Sequence, residues 1–213
     1  MIKVIIADDH PMLRAGLVQS INKEVDIKIT AECQSGEEML AKLREESFDV
    51  AIIDIDMPGR NGIDVLKEIR SEFGNLPVLI LSAYDEQKYG IRALQAGANA
   101  YLSKEEDRKT IVEAIRKIKG GKKYITPSLA EALANQVDLS SDKPLYEKLS
   151  DREMEVMILL AKGKSVSEIA EQLFLSVNTV NTYRARILEK LGLKSNTQIA
   201  LYALENGLLD KKN

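Results

Sequence analysis

The 213-residue chain has one cysteine, one histidine, and aromatic side chains at only 5% of positions. A lone Cys33 excludes an internal disulfide and any zinc site built on cysteines. Near the end of a strand-like run it reads as a small apolar residue rather than a reactive thiol. No apolar stretch reaches the roughly 18 residues that would suggest a membrane span, and Met1-Ile2-Lys3 leads straight into a strand-like run without a signal-peptide pattern. The expectation is a soluble cytoplasmic protein with no membrane partner. Strong charge of one sign is also missing: the net charge is -3, and from residue 150 onward nine Lys and Arg face eight Asp and Glu. That tail is mildly basic, so composition alone does not point to nucleic acid. There is no internal repeat and no low-complexity tract. What is present is 45% hydrophobic and 30% charged residues, enough to bury a core, over a length that suits two ordinary domains.

Residues 1–122 alternate between short β-branched runs and amphipathic segments. Strands are predicted at 3–7, 27–32, 50–54, 77–83 and 99–104, and helices at 11–22, 36–46, 62–73, 86–96 and 106–120. The strands are mostly apolar throughout, which means burial on both faces of a parallel sheet covered by helices. In the last helix Ile111, Ile115 and Ile118 recur at helical spacing, while Arg116, Lys117 and Lys119 take the wet face. Five βα units predict an α/β doubly wound, five-stranded parallel sheet. A short helix near 128–137 and the Ser140-Ser141-Asp142 and Pro144 stretch make residues 123–148 a linker. A small all-α domain of four helices follows over 149–213, opened by Ser150 and Glu153 at the spacing of a capping box.

The stretch "IIDIDMPG" (52–59) sets Asp54 and Asp56 against the end of an apolar run, where an ionised carboxylate needs compensation. In open parallel sheets the crevice lies outside the carboxyl ends of the strands. Asp8 and Asp9 follow the first strand, Asp54 ends the third, Ser82 the fourth and Lys104 the fifth, so all collect at one rim. Crowded carboxylates repel one another unless a cation sits among them, and Mg²⁺, which favours carboxylates, a carbonyl and waters, is the economical choice. His10 reads as a loop residue rather than a ligand, since Mg²⁺ prefers oxygen.

"ADDHPMLRAGL", "DVAIIDIDMPGRNGIDVL", "VLILSAYD" and "AGANAYLSK" together resemble the flavodoxin-like receiver domain of two-component response regulators, over essentially all of residues 1–122. The resemblance implies that Asp54 accepts a phosphoryl group from a sensor histidine kinase. It also implies that Asp8, Asp9, Asp54 and the backbone carbonyl of Asp56 hold Mg²⁺, that Lys104 and Ser82 contact the phosphoryl group, and that Ser82 and Tyr101 form the switch. Tyr101 alone reads equally well as a half-buried strand aromatic. Two positions depart from the common pattern: Glu105 replaces the usual Pro after the rim lysine, and an acid, Asp56, stands where the side chain tunes phosphoryl lifetime.

The tail divides at Gly163, near Leu175-Ser176 and at Gly192. Two short helices, "SVSEIAEQL" and "SVNTVNTYRARILEKL", are joined by a tight turn, the second with a polar and basic face. This describes a helix-turn-helix, although a four-helix protein-docking bundle fits the pattern too. "LSDREMEVM", "EIAEQLFLSVNTV" and "ILEKLGLKSNTQIALYALENGLL" resemble LuxR-type helix-turn-helix domains, and with the receiver in front the chain resembles response regulators of the NarL/FixJ subfamily. The resemblance implies binding to double-stranded DNA. Asn178, Thr179, Asn181 and Thr182 would lie along the duplex, with Asn181 the first candidate for reading a base, since Asn pairs bidentately with adenine. Arg184, Arg186, Lys190 and Lys194 are candidates for phosphate contacts. The usual pattern carries Lys at 178 and 181, whose loss predicts a shallower salt dependence. The last helix, with Leu201, Tyr202 and Leu204 around its circumference, resembles a dimer helix and implies a homodimer.

The expected function is therefore that of a phosphorylation-controlled transcription regulator, not an enzyme in the ordinary sense. Two alternatives are a constitutive DNA-binding regulator with a structural receiver and a haloacid-dehalogenase-like phosphatase, whose Asp-x-Asp motif "DID" matches. In the phosphatases that motif ends the first strand, whereas here it ends the third.

Overall fold

The computed structural model describes residues 1–57, 59–84, 86–138 and 144–209. The predicted linker residues Ser140, Ser141 and Asp142 lie outside them. The chain clusters into two compact units, Met1–Ala134 and Asn135–Asn213.

The first unit runs β1 (Ile2–Ala7), α1 (Pro11–Ile21), β2 (Ile27–Cys33), α2 (Gly36–Glu45), β3 (Val50–Ile53), α3 (Gly62–Glu72), β4 (Val78–Ser82), α4 (Glu86–Gln95), β5 (Ala100–Ser103) and α5 (Arg108–Lys119). All pairings are parallel and the strand order is β2-β1-β3-β4-β5. The order reverses between β1 and β3, which opens a crevice at the carboxyl edge. Val4, Ile6, Ile52, Leu79, Leu81 and Leu102 from the strands pack against Ile111, Ile115 and Ile118 of α5, the stripe its sequence predicts. β2 departs from continuous burial, alternating buried and exposed residues as the edge strand. Cys33, at its end, is buried, and burial pushes its thiol up to about 12.

Beyond α5 the chain does not leave the first unit at once. Tyr124 bridges to Ala100 beside β5, and α6 (Pro127–Asp138) sets the fully buried Leu129 over Gly90 of α4. A Cβ on Gly90 would lie 2.9 Å from Leu129 Cδ1, so the missing side chain makes the notch that receives it.

Among its described residues the second unit has a 3-10 turn (Leu145–Lys148) and then α7 (Asp151–Ala161), α8 (Val166–Gln172), α9 (Val177–Leu191) and α10 (Asn196–Glu205). Helix α7 is buried from Glu153 to Leu160, and α9 and α10 pack on it. Ser150 with Glu153 and Ser165 with Glu168 form complete capping boxes, while Ser176 and Ser195 cap α9 and α10. Glu153 also accepts from Lys190 Nζ at 2.6 Å, tying α9 to the start of α7. Burial works against its charge, but the hydrogen bonds from Lys190 and Ser150 hold its carboxyl below the usual glutamate range.

Candidate functional site: an acidic rim and an exposed recognition helix

Asp54 leaves β3 with its amide hydrogen-bonded to Ala7 O at 2.9 Å, which locks it beside the end of β1. Its side chain is 1% exposed. Lys104 Nζ lies 2.6 Å from Asp54 Oδ2 and 2.9 Å from Asp8 Oδ2, and the Lys104 amide donates to Ser82 O at 2.9 Å. Asp56 donates its amide to Asp54 Oδ1 at 3.2 Å. Gly62 closes the floor: a Cβ there would sit 2.1 Å from the Asp54 carbonyl oxygen, so only glycine lets α3 start this near β3.

The electrostatics follow from crowding. Burial pushes the Asp54 carboxyl up to about 7, with Asp8 adding repulsion, even though Lys104 pulls the other way. Burial also raises Asp9, helped by Asp56 and Asp8 and opposed by His10. Burial disfavours the Lys104 ammonium, yet Asp54 and Asp8 outweigh it and hold its pKa above the ordinary lysine value. Asp9 Oδ1 is buried and accepts no hydrogen bond, although His10 Nδ1 stands 2.7 Å from it. Asp8, Asp9, His10 and Asp54 each offer a ligand atom within 4.8 Å of the others. Excess carboxylate, with an acceptor left unsatisfied, fits the donor set a hard divalent cation prefers.

Asp8, Asp9, Asp54 and Lys104 thus meet at the one rim that the strand ends predict, with Asp56 and Ser82 along the same edge. Ser82 is fully buried, and its hydroxyl accepts the Tyr84 amide at 3.1 Å. Tyr101 is fully buried rather than half-buried, and already lies inward, with its hydroxyl donating to Tyr84 O at 2.8 Å. Two neighbours escaped prediction. His10, read as a plain loop residue, joins the carboxylates, although its side chain is 61% exposed. Arg14, buried on α1, donates through Nη1 to the Asp8 carbonyl and lies 3.4 Å from Glu32, so a cation stands behind the acidic loop. A lone Arg among the apolar residues of α1 was its only sequence signal.

On α9, Asn178, Asn181, Thr182, Ala185 and Arg186 are exposed, Val180 is core, and Thr179, expected along the duplex with its neighbours, is half-buried. The cations are less uniform. Lys190 Nζ is committed to Glu153 and to the Lys148 carbonyl, Arg184 Nε donates to Asn196 Oδ1 at 2.6 Å, and Lys194 is exposed. On α10, Leu201 and Leu204 are 54% and 62% exposed, but Tyr202 turns inward, its hydroxyl accepting the Tyr146 amide at 3.2 Å. Among the described residues no helix is long and apolar enough to cross a membrane.

Residues 4–116 match the response regulator receiver domain family, and residues 147–203 match the luxR family of bacterial regulatory proteins. The response regulator UvrY of Escherichia coli (strain K12) is 33% identical over 209 residues, 98% of this chain and 96% of UvrY. The response regulator GacA of Pseudomonas protegens is 34% identical over 211 residues, 99% of each chain. Among solved structures, the response regulator ChrA of a heme-sensing two-component system aligns with a TM-score of 0.53 at 33% identity, over 98% of both chains. The response regulator RcsB in its complex with DNA aligns with a TM-score of 0.60 at 26% identity, over 95% of this chain and 98% of RcsB.

Proposed function

Because the chain belongs to the response regulators, joining a receiver domain to a LuxR-family regulatory domain, we propose that Asp54 takes up a phosphoryl group from a sensor histidine kinase and thereby controls how residues 149–213 engage double-stranded DNA. Residues 123–148 carry the chain between the two activities, and the protein works in the cytoplasm as a homodimer when phosphorylated. The observation that carries this reading is the placement of Asp54: a buried carboxylate at the switch point of the sheet, 2.6 Å from a lysine and crowded by two further acids.

Phosphoryl transfer asks the protein for positioning and for positive charge around the equatorial oxygens. Asp8, Asp9, Asp54 and the Asp56 carbonyl would hold Mg²⁺, which supplies part of that charge when bound. Lys104 supplies a further positive charge beside Asp54 and is already anchored through its backbone to β4. Asp54 Oδ attacks phosphorus, the P–N bond to the kinase histidine breaks, and the nitrogen keeps its electron pair. A phosphorylated Asp54 offers new acceptor oxygens, for which Ser82 Oγ would leave the Tyr84 amide and donate instead. Tyr84 also holds the Tyr101 hydroxyl, so a change at Ser82 reaches the buried tyrosine by way of one residue.

Asn178, Thr179, Asn181 and Thr182 face the duplex, with Asn181 reading adenine. Arg184, Arg186 and Lys194 contact phosphates; Lys190 would have to leave Glu153 to join them. RcsB, a relative of similar fold, has been seen on DNA. The test is intact-protein mass spectrometry after acetyl phosphate and Mg²⁺, paired with selection of duplexes from a random pool. Wild type should gain one phosphoryl group and enrich a duplex; Asp54→Ala should gain none and enrich it poorly. A phosphoryl group found on another residue, or equal enrichment by both proteins, defeats the reading.

A further inference from the structure

Helices α7, α8, α9 and α10 all end in one kind of turn, and three of these turns use glycine where that after α8 uses phenylalanine. After α7, Gly163 donates to Leu160 O and Lys164 to Leu159 O; after α9, Gly192 donates to Glu189 O and Leu193 to Leu188 O; after α10, Gly207 donates to Leu204 O and Leu208 to Ala203 O. After α8 the same pair of bonds runs from Phe174 to Glu171 O and from Leu175 to Ala170 O. The pivot residue is left-handed each time, with φ of 83°, 67° and 59° at the glycines and 53° at Phe174. Among the described residues Phe174 is the only non-glycine with positive φ. Glycine removes the clash between Cβ and backbone in this conformation, and a bulky side chain there is disfavoured.

Most of the side chain lies in solvent, so packing offsets little of that cost. Phe174 is 72% exposed, and Val177, three residues on, is 46% exposed. Both flank Ser176, the cap of α9, and lead directly into Asn178 and Asn181. A residue that is unfavourable in backbone and in solvation at once is characteristic of a binding surface. Its occupant is indicated by continuity: the patch adjoins the helix assigned to the duplex, and that helix presents amides and hydroxyls where charge would otherwise supply the attraction.

We propose that Phe174, with Val177, is an apolar DNA contact of this protein. The ring seats on deoxyribose and thymine-methyl surface at the edge of the major groove, beside the bases facing Asn178 and Asn181. The contact excludes water without neutralising a phosphate. This inference rests on the DNA-binding reading above, and a wild-type protein that enriches no duplex refutes that reading before Phe174 is tested.

The experiment uses the full chain as wild type, Phe174→Gly, Phe174→Asn and Phe174→Tyr, with the duplex that the acetyl-phosphate-treated wild type enriches. Glycine and asparagine both tolerate the left-handed turn, so hydrogen-exchange protection of the α8 and α9 amides should be kept or increased. Their duplex affinity should fall at least fivefold, while the slope of log K against log salt stays that of wild type. Phe174→Tyr should bind within twofold of wild type. Wild-type affinity in Phe174→Gly overturns the proposal, as does a shift of about one in the salt slope. Reduced protection in both the glycine and asparagine variants overturns it by making the ring a packing residue. Unchanged affinity with lost transcription in a purified polymerase assay also overturns it and assigns the ring to a protein partner.

Discussion

The two ends of the one sheet treat carboxylates in opposite ways. At the amino end Asp49 accepts the Lys3 amide at 2.8 Å and pairs with Lys119, and these donors hold its carboxyl below the usual range. Asp26 is held low in the same way by Arg116. At the carboxyl end Asp8 and Asp54 share Lys104, Asp9 meets His10, Arg14 stands behind them, and burial drives Asp54 and Asp9 upward. Structural acids are matched to their donors; the rim carries more negative charge than its neighbours balance. A groove of about 540 Å³ opens at the amino end, lined by Phe48, Phe73, Leu76 and Pro77 among others.

The contrast can be broken most sharply by exchanging lysines. Lys104→Ala should slow phosphoryl uptake from acetyl phosphate by about a hundredfold, the scale expected when one preorganised charge is removed from a transition state. Lys119→Ala, which strips Asp49 of its ammonium, should leave that rate unchanged and cost less than about 1 kcal/mol in denaturant unfolding, since the pair lies at the surface. Comparable rates in the two variants would erase the distinction between the ends.

The next effect is in pH. A carboxyl raised on folding from 3.8 to about 7 binds more protons in the native than in the unfolded chain across that window, so stability falls as pH rises through it. Without divalent cations the melting temperature of wild type should therefore drop between pH 5 and 8. Asp54→Asn should flatten that slope, and added Mg²⁺ should offset it. A metal-free melting curve rising toward pH 8 would contradict the raised carboxyl.

The smallest effects test whether the same rule holds on α9. Lys190 is matched to Glu153, so Lys190→Ala should lower stability and scarcely alter the salt dependence of duplex binding. Arg186→Ala should weaken binding evenly across sequences and reduce the magnitude of the salt slope by about one. Identical slopes for the two variants would remove the parallel between units.

Apart from the alternating β2, the strands were legible because parallel strands buried on both faces read as unbroken apolar runs, and the rim because βα topology alone gathers strand ends. Ser82, Asp54 and Lys104 needed no knowledge of loop geometry. His10 and Arg14 did, since their approach to the acids depends on how the chain turns from β1 into α1. Tyr202 shows a related limit: helical spacing gives a circumference, and only the packed 3-10 turn decides that Tyr202 faces inward while Leu201 and Leu204 face out. The hold of Leu129 on Gly90 is a contact between residues far apart in the chain, without periodicity to announce it.

The burial of Cys33 has a practical corollary. A thiol pushed up to about 12 and shut away from solvent forms almost no thiolate at neutral pH, so maleimide reagents should pass it by. A cysteine introduced at the exposed Leu204 would be the sole target, and a fluorescent label there could report on α10 with the native sequence otherwise intact.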